Sequence, residues 1–341
     1  MRKAVLTFVV LCIVGIGGTY AAIAVIDPFD HLALSPDLPR KRVSSNERWT
    51  FPGMVRNTAY DGAVFGTSTS ILLHPDDLSA AFGGRIANLS MASSTAWEQR
   101  RMIDYFLAHN PDPDIMLVGL DVVWCNLSSV DDRETFRGFP DWMYDDDPIN
   151  DYAHLLNARM LVNAGRQVLA MMGRAAPHFG PDGYFRFVPP DDQYSLQKAL
   201  TKIYGNRQVP PKPSDDTVAH WRNTLPVEPA DNPAIDALAD TLRAADSSKI
   251  VLFFVPYHYS MTAKPETWRR YESCKQAVSK AFAGRDNAIV VDFMQFTPIT
   301  LNDENYWDGL HYRVPVTGRL VSALKDAVAG KPFPPEIGSV R

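Results

Sequence analysis

The sequence predicts an α/β protein, a three-layer α/β/α sandwich built on a mainly parallel sheet, with an N-terminal transmembrane helix ahead of it. Two observations lead to this prediction. Short apolar runs that end in small polar residues alternate with stretches of helical periodicity, and the first 26 residues form one apolar segment. Because parallel strands need crossover connections, alternating strands and helices place helices on both faces of the sheet.

The N-terminal segment, residues 1–26, is long enough to span a bilayer. Arg2 and Lys3 precede an apolar run from Ala4 to Ile26. Positive charge on this side predicts a cytoplasmic N-terminus and an exported remainder, either periplasmic or at the cell surface. Residues 21–24 also fit the cleavage site of a secretory signal peptide, so two interpretations remain open. The length of the run favours a retained membrane anchor, and both interpretations export the rest of the chain.

Five apolar runs predict strands, and three stretches between them predict helices. The strands are expected at residues 63–65, 85–89, 115–120, 250–255 and 288–291, and the helices at 95–110, 232–245 and 266–282. The first of these helices begins at Thr95 with the spacing of a capping box, Thr-x-x-Glu. Functional sites of such folds form at the carboxyl ends of the strands, where we expect Ser68, Asp121 and residues 90–93 and 256–258.

The domain organisation follows from where this alternation starts and stops. Residues 27–60 mix Pro, Asp, Ser and Arg without periodicity and predict an irregular arm, whereas residues 61–330 form the main domain. Within that domain, residues 126–230 carry acidic and proline clusters and predict one long insertion with a helix near Leu155–Met172. Residues 331–341 are expected to form a tail.

Composition excludes some functions and leaves the cysteines undecided. With 341 residues, 46% of them hydrophobic, the chain can bury a full core. A formal net charge of −5 gives no basic field, which argues against nucleic-acid binding. Cys125 and Cys274 in the exported part fit either a disulfide or two buried thiols.

Ser68 is the first candidate catalytic residue because it lies where a predicted strand ends and a helix begins. Its hydroxyl would project at the carboxyl edge of the sheet beside free backbone N–H groups. A serine hydroxyl is a weak nucleophile at neutral pH and needs a base. The alternative is that Ser68, Thr69 or Ser70 only caps a helix.

Asp308 and His311 are the second candidate pair, in the segment Tyr306–Arg313. In a turn, a spacing of three residues can bring both side chains to one face. The carboxylate could then hold the imidazole in the tautomer that accepts a proton from serine. Asp-x-x-His also occurs frequently by chance, so this signal gains weight only together with Ser68.

Taken together, these segments resemble the SGNH (GDSL-type) hydrolase superfamily, whose fold is flavodoxin-like. The resemblance covers most of residues 60–330. The nucleophile block of that family is similar to Gly66-Thr67-Ser68, and its final Asp-x-x-His block is similar to Asp308 through His311. The resemblance therefore implies a Ser68 nucleophile with Asp308 and His311 as its relay.

Two further blocks of the superfamily depart from its usual pattern here. Ser93 stands at the position of an oxyanion-hole glycine that follows an asparagine, here Asn88, and a backbone N–H survives that change. Asp121 stands where the family has an asparagine. Because an ionised carboxylate would repel an oxyanion, we expect Asp121 to orient the loop and the backbone N–H groups of Ser68 and Ser93 to form the hole.

With these departures, the chain resembles a membrane-anchored, acyltransferase-type branch of the superfamily. That branch includes proteins of alginate O-acetylation and of D-alanine transfer to teichoic acid. The shared features are the anchor, the strand end Val118–Asp121 and the strand end Pro256–His258. His258 and Arg313 are candidate substrate contacts. Their alternatives are a packed core histidine and a surface ion pair.

The resemblance implies an extracytoplasmic serine-dependent O-acyltransferase or esterase that acts on O-acyl groups of an envelope or exported glycan through an acyl-serine intermediate. Its expected partners are an acylated glycan or small ester, the membrane, and a membrane-bound acyltransferase. The alternative is a non-catalytic glycan-binding or scaffold protein of such a system. No metal-ligand spacing, dinucleotide-binding fingerprint or Walker sequence is present, so we expect no cofactor and no metal.

Overall fold

The structure is a computed structural model that describes residues 1–126, 133 and 135–341. The chain divides into two compact units. The first comprises Met1–Ala59 and Gly138–Gly183, and the second comprises Tyr60–Arg137 and Tyr184–Arg341.

Twelve α-helices and six strands make up the regular structure of the described residues. In chain order they are α1 (Arg2–Ile26), α2 (Glu47–Arg56), β1 (Gly62–Phe65), α3 (Ser68–Ile71), α4 (Pro75–Phe82), β2 (Ile86–Asn88), α5 (Ala96–His109), β3 (Ile115–Leu120), α6 (Val122–Cys125), α7 (Ala158–Met171), α8 (Leu196–Tyr204), α9 (Asp215–Thr224), α10 (Pro233–Thr241), β4 (Lys249–Phe254), α11 (Pro265–Ala281), β5 (Ala288–Asp292), α12 (Val314–Val328) and β6 (Ser339–Val340). Short 3-10 turns connect several of them, including Asp191–Gln193, Tyr259–Met261 and Asp303–Asn305.

All six strands belong to one sheet in the second unit, with the order β2-β1-β3-β4-β5-β6. Strands β1 to β5 are parallel to one another, and β6 pairs with β5 in the antiparallel direction. The register pairs Val64 with Leu117 and Leu117 with Val251. Parallel pairing in this register brings the carboxyl ends of β1 and β3 to the same edge of the sheet, and Ser68 and Asp121 follow those ends.

The central strands are buried along their whole length, which explains why they read as continuous apolar runs. Around the sheet, α4 packs against α12, and α10 packs against α5 and α11. The predicted capping box of α5 is present: Thr95 Oγ1 accepts from the Glu98 N–H, and the Glu98 carboxylate accepts from the Thr95 N–H. The prediction of a mixed α/β fold with a mostly parallel sheet is therefore confirmed.

The first unit contains α1, α2 and α7. Helix α1 has 25 residues, its most apolar 18-residue stretch has a mean hydropathy of 2.4, and very little of that stretch is buried. It is long and apolar enough to span a membrane, and a signal sequence would have the same properties. The expected N-terminal apolar helix is thus present.

Three boundaries differ from the predictions. Residues 27–60 are not wholly irregular, because Glu47–Arg56 forms α2, which buries Phe51, Met54 and Val55. Residues 126–230 do not form one insertion, since 138–183 belong to the first unit. The expected tail contains β6, which pairs with β5. The helix expected near Leu155–Met172 is α7, and residues 127–132 and 134 of the expected insertion lie outside the described residues.

Cys125 and Cys274 form a disulfide, which decides between the two alternatives left by the sequence. The bond joins the end of α6, just after β3, to the buried side of α11. Disulfides persist mainly in oxidising compartments.

Candidate active site

Ser68 lies at the carboxyl end of β1, as the first residue of α3, and its side chain is partly buried. Its Oγ is 2.8 Å from Nε2 of His311, across 243 residues of sequence. Two glycines allow this tight strand-to-helix turn, because a Cβ at Gly66 or Gly119 would collide with the Ser70 side chain. The turn therefore presents Ser68 to the surface while Ser70 packs inward.

The turn after Ser68 is held from two sides. The Asn88 side-chain amide at the end of β2 donates to the carbonyl oxygens of Ser70 at 3.1 Å and of Leu73 at 2.8 Å. The Tyr312 hydroxyl donates to the Thr69 carbonyl oxygen at 2.6 Å. Because Tyr312 directly follows His311, this second bond ties the segment that carries His311 to the segment that carries Ser68.

Asp308 holds the imidazole of His311 from its other side. Nδ1 of His311 is 2.8 Å from Oδ2 and 3.0 Å from Oδ1 of Asp308. The backbone N–H groups of Leu310 and His311 also donate to Oδ1, at 2.8 and 2.9 Å. Burial alone would raise the pKa of Asp308, but these hydrogen bonds and the nearby ring outweigh it and lower that pKa. An ionised Asp308 accepts a hydrogen bond from the Nδ1–H of His311, which leaves Nε2 unprotonated and able to accept a hydrogen bond from the Ser68 hydroxyl.

A tight turn explains why a spacing of three residues suffices for this pair. Tyr306 and Tyr312 form an antiparallel bridge, and the Trp307 N–H donates to the His311 carbonyl oxygen at 2.9 Å. The chain between them folds back on itself, so that the Asp308 and His311 side chains meet. Phe187, which sequence reasoning missed, places its ring edge-on to the imidazole at 5.1 Å between centroids. No sequence pattern pointed to Phe187, because it lies in an irregular segment.

Asp121 is buried beside the turn and acts as an acceptor there. It receives a hydrogen bond from the Thr67 hydroxyl, and the Val123 N–H donates to its Oδ1 at 3.0 Å. Burial raises the pKa of Asp121, although the hydrogen bonds from Thr67 and Val123 oppose the shift. The bond from Thr67 links the segment after β1 to the segment after β3, and the bond from Val123 caps the start of α6.

Ser93 is exposed in the loop after β2 and has a φ of 54°, in the left-handed region that favours glycine. This backbone conformation fits the glycine that the resemblance places there. The loop is tied to the turn that carries Ser68 by the Met91 N–H, which donates to the Gly66 carbonyl oxygen at 2.9 Å. Neither the Ser68 nor the Ser93 backbone N–H has a hydrogen-bond partner among the described residues.

His258 is not placed to contact a substrate, which corrects the first of the two candidate contacts. Its side chain is 0% exposed, and both ring nitrogens have partners, Ser260 Oγ at 2.8 Å and Asp303 Oδ1 at 3.0 Å. Burial lowers the pKa of His258, while the charge of Asp303 opposes this shift. His258 N–H donates to the Gly309 carbonyl oxygen at 3.1 Å and so supports the turn that carries Asp308.

Arg313 lies at the N-terminus of α12, two residues after His311. Its guanidinium stacks over the Tyr194 ring at 3.8 Å, and it is 3.5 Å from Asp191. It also donates to the Glu304 carbonyl oxygen at 3.1 Å. These contacts match the ion-pair alternative for Arg313, and they fasten the 3-10 turn Asp191–Gln193 beside the histidine segment.

Asp303 is a structural residue that the sequence did not indicate. Its carboxylate accepts a hydrogen bond from the Tyr204 hydroxyl at 2.5 Å and also contacts the His258 ring. The hydroxyl groups of Tyr204 and Tyr259 are 2.9 Å apart. Burial and the bond to Asp303 raise the pKa of Tyr204.

No group of His, Cys, Asp and Glu side chains that could hold a metal ion occurs in the part of the chain that the structure describes. Among known proteins, no family model matches the chain and no curated protein is significantly similar to it.

Proposed function

We propose that this chain is an extracytoplasmic, serine-dependent O-acyltransferase or esterase that acts on O-acyl groups of a cell-envelope or exported glycan. The proposal takes the sheet and its helices as a three-layer sandwich of the SGNH type. The observation that carries it is the chain of contacts from Ser68 Oγ through the His311 ring to the Asp308 carboxylate, at 2.8 Å on each side. This geometry supports the transfer of a proton from serine to histidine.

In the first half of the reaction, Ser68 Oγ attacks the ester carbonyl carbon while His311 Nε2 removes its proton. The ionised Asp308 stabilises the resulting imidazolium. The backbone N–H groups of Ser68 and Ser93, both without partners among the described residues, are suited to stabilise the oxyanion. Collapse of the tetrahedral intermediate breaks the ester bond, His311 returns the proton to the leaving alcohol, and the acyl group remains on Ser68.

The second half of the reaction determines whether the protein acts as an esterase or as a transferase. A water molecule or a sugar hydroxyl gives its proton to His311 and attacks the acyl carbon, after which Ser68 Oγ leaves and regains that proton. Water as the acceptor yields an esterase, and a glycan hydroxyl yields a transferase. Helix α1, as a membrane anchor, supports an envelope or exported glycan as the substrate, together with a membrane-bound acyltransferase as a partner.

The test is labelling by a fluorophosphonate probe, which reacts with activated serine hydroxyls. We expect the wild-type protein to be labelled at Ser68 and Ser68→Ala to remain unlabelled, because the probe needs a deprotonated nucleophile. Ser322→Ala, which removes an exposed serine on α12, is the matched control and should label like the wild type. Equal labelling of wild type and Ser68→Ala, or no labelling of either, would favour a non-catalytic glycan-binding or scaffold protein instead.

A further inference from the structure

Helix α7 has an outward face that is apolar, the reverse of what a water-exposed helix presents. Leu161, Val162 and Leu169 are 54%, 59% and 44% exposed, and Met172 directly after the helix is 57% exposed. The inward face buries Met160, Ala164 and Ala170 together with the amides of Asn163 and Gln167. Since Leu161 and Leu169 are eight residues apart, they lie on one side of the helix, and an apolar stripe of this kind needs a nonaqueous neighbour.

The same helix packs against α1, the candidate membrane span. Gly15 and Thr19 of α1 face the N-terminal end of α7 and the residues before it, including Leu156 and Leu161. The Tyr20 hydroxyl in α1 donates to the Tyr152 carbonyl oxygen at 3.0 Å. The apolar stripe of α7 therefore continues directly from the apolar surface of α1.

The position of this contact along α1 determines how deep in the bilayer the contacting end of α7 lies. About 20 helical residues cross the hydrocarbon core of a bilayer, which places its outer boundary near Ile23 if the span begins at Ala4, just after Arg2 and Lys3. Gly15 then lies about 12 Å further in, at 1.5 Å per residue. A segment that contacts α1 between Gly15 and Ile23 must share that depth with the lipid chains.

The charges of α7 suit the same environment. The helix, Ala158–Met171, contains no acidic residue, and the exposed Arg166 and Arg174 lie within it and just after it. Long arginine side chains beside an apolar stripe can reach lipid phosphate groups while their stems stay in the apolar layer. This pattern is that of an interfacial helix.

We propose that α7 lies in the outer leaflet of the membrane that α1 spans, with Leu161, Val162, Leu169 and Met172 in contact with lipid acyl chains. The first unit thus holds the membrane by two elements, a spanning helix and an interfacial helix. The proposal is independent of the chemistry at Ser68.

The test is the accessibility of nitroxide labels on the full chain, reconstituted in vesicles of phosphatidylethanolamine and phosphatidylglycerol. Leu161→Cys and Leu169→Cys are made in a Cys12→Ser background, with the disulfide of the second unit left intact. Lys202→Cys on α8, also an exposed position, is the matched control. Intact mass verifies that α1 is present in each sample.

For each label we compare accessibility to oxygen with accessibility to a water-soluble nickel complex. We expect this oxygen-to-nickel ratio to be several-fold higher at positions 161 and 169 than at position 202. A label at position 169 that is as accessible to nickel as the control would overturn the proposal, because the stripe would face water. A label inaccessible to both quenchers would also overturn it, because another protein surface would then cover the stripe.

Discussion

At the scale of residues, the candidate site depends on a few polar side chains that converge from distant segments. Ser68 and His311 could be paired from the sequence because each belongs to a short block with a recognisable spacing. Phe187 and Asp303 could not, because an edge-on ring contact and a buried carboxylate–histidine–tyrosine network depend on tertiary packing. Asp121 illustrates the intermediate case: its position at a strand end was predictable, whereas its bond from Thr67 required the structure.

Removal of either relay residue is predicted to abolish most ester turnover. We expect His311→Ala and Asp308→Asn to lower kcat by roughly 10³-fold to 10⁴-fold, since Ser68 loses its base or the base loses its tautomer and orientation. The rate of p-nitrophenyl acetate hydrolysis measures this effect, with circular dichroism as the check on folding. His220→Ala, at an exposed position of α9, should retain wild-type turnover. Near-normal activity of His311→Ala would show that another group is the base.

At the scale of elements, the strands and long helices were predictable because burial on both faces gives β1, β3 and β4 uninterrupted apolar runs. The capping box likewise located the start of α5. Helix α2 was missed because Pro52 and the polar residues around it hide a short buried face. The strand β6 was missed because a two-residue antiparallel strand leaves no periodic pattern.

The C-terminal strand is fastened by a charge cluster in which Asp292 and Lys275 are buried and Glu272 and Arg341 are partly exposed. Arg341 lies 2.8 Å from Asp292 at the end of β5 and 2.6 Å from Glu272 in α11. Lys275, which is nearly fully buried, contacts both of these carboxylates at 3.0 and 2.9 Å. Loss of Arg341 leaves the buried Asp292 with Lys275 as its remaining charged partner in this cluster.

We therefore predict that Arg341→Ala lowers the free energy of unfolding by about 1–3 kcal/mol, as measured by urea denaturation near pH 7. Arg319→Ala, at an exposed position on α12, is the control and should change stability by less than about 0.5 kcal/mol. If both variants unfold at the same urea concentration as the wild type, the cluster does not stabilise the edge of the sheet.

The same cluster predicts a dependence of stability on pH. Burial opposes ionisation of Glu272, but Lys275 and Arg341 outweigh it and lower its pKa below the usual 4.5. A lowered folded-state pKa stabilises the protein above pH 4.5 and loses this effect as pH falls through the folded-state value. The stability difference between wild type and Glu272→Gln should therefore be largest near neutral pH and shrink below pH 4.5. A difference that stays constant down to pH 3 would contradict this assignment.

At the scale of the whole molecule, the sheet could be predicted from the sequence, but the division of the chain into two compact units could not. Residues 138–183 belong with residues 1–59, and no composition change marked that long-range association. The disulfide was equally undecidable from two cysteines alone, because their proximity depends on how α6 and α11 pack.

The bond joins Cys125 to Cys274 across a sequence separation of 149, so its loss should lower the stability of the second unit. We expect the double variant Cys125→Ser and Cys274→Ser to be about 2–5 kcal/mol less stable in urea denaturation, since the cross-link restricts the unfolded chain. Thiol titration of the denatured wild type without reductant should detect Cys12 alone. Detection of three thiols would contradict the bond.

The central claim is that Ser68 carries the acyl group and that His311 makes this possible. Mass spectrometry of protein quenched within milliseconds of mixing with p-nitrophenyl acetate tests it most directly. We predict one acetyl group on the peptide that contains Ser68 in the wild type, with none in Ser68→Ala and far slower formation in His311→Ala. An acetyl group on a different residue, or equal acetylation rates in wild type and His311→Ala, would contradict the account.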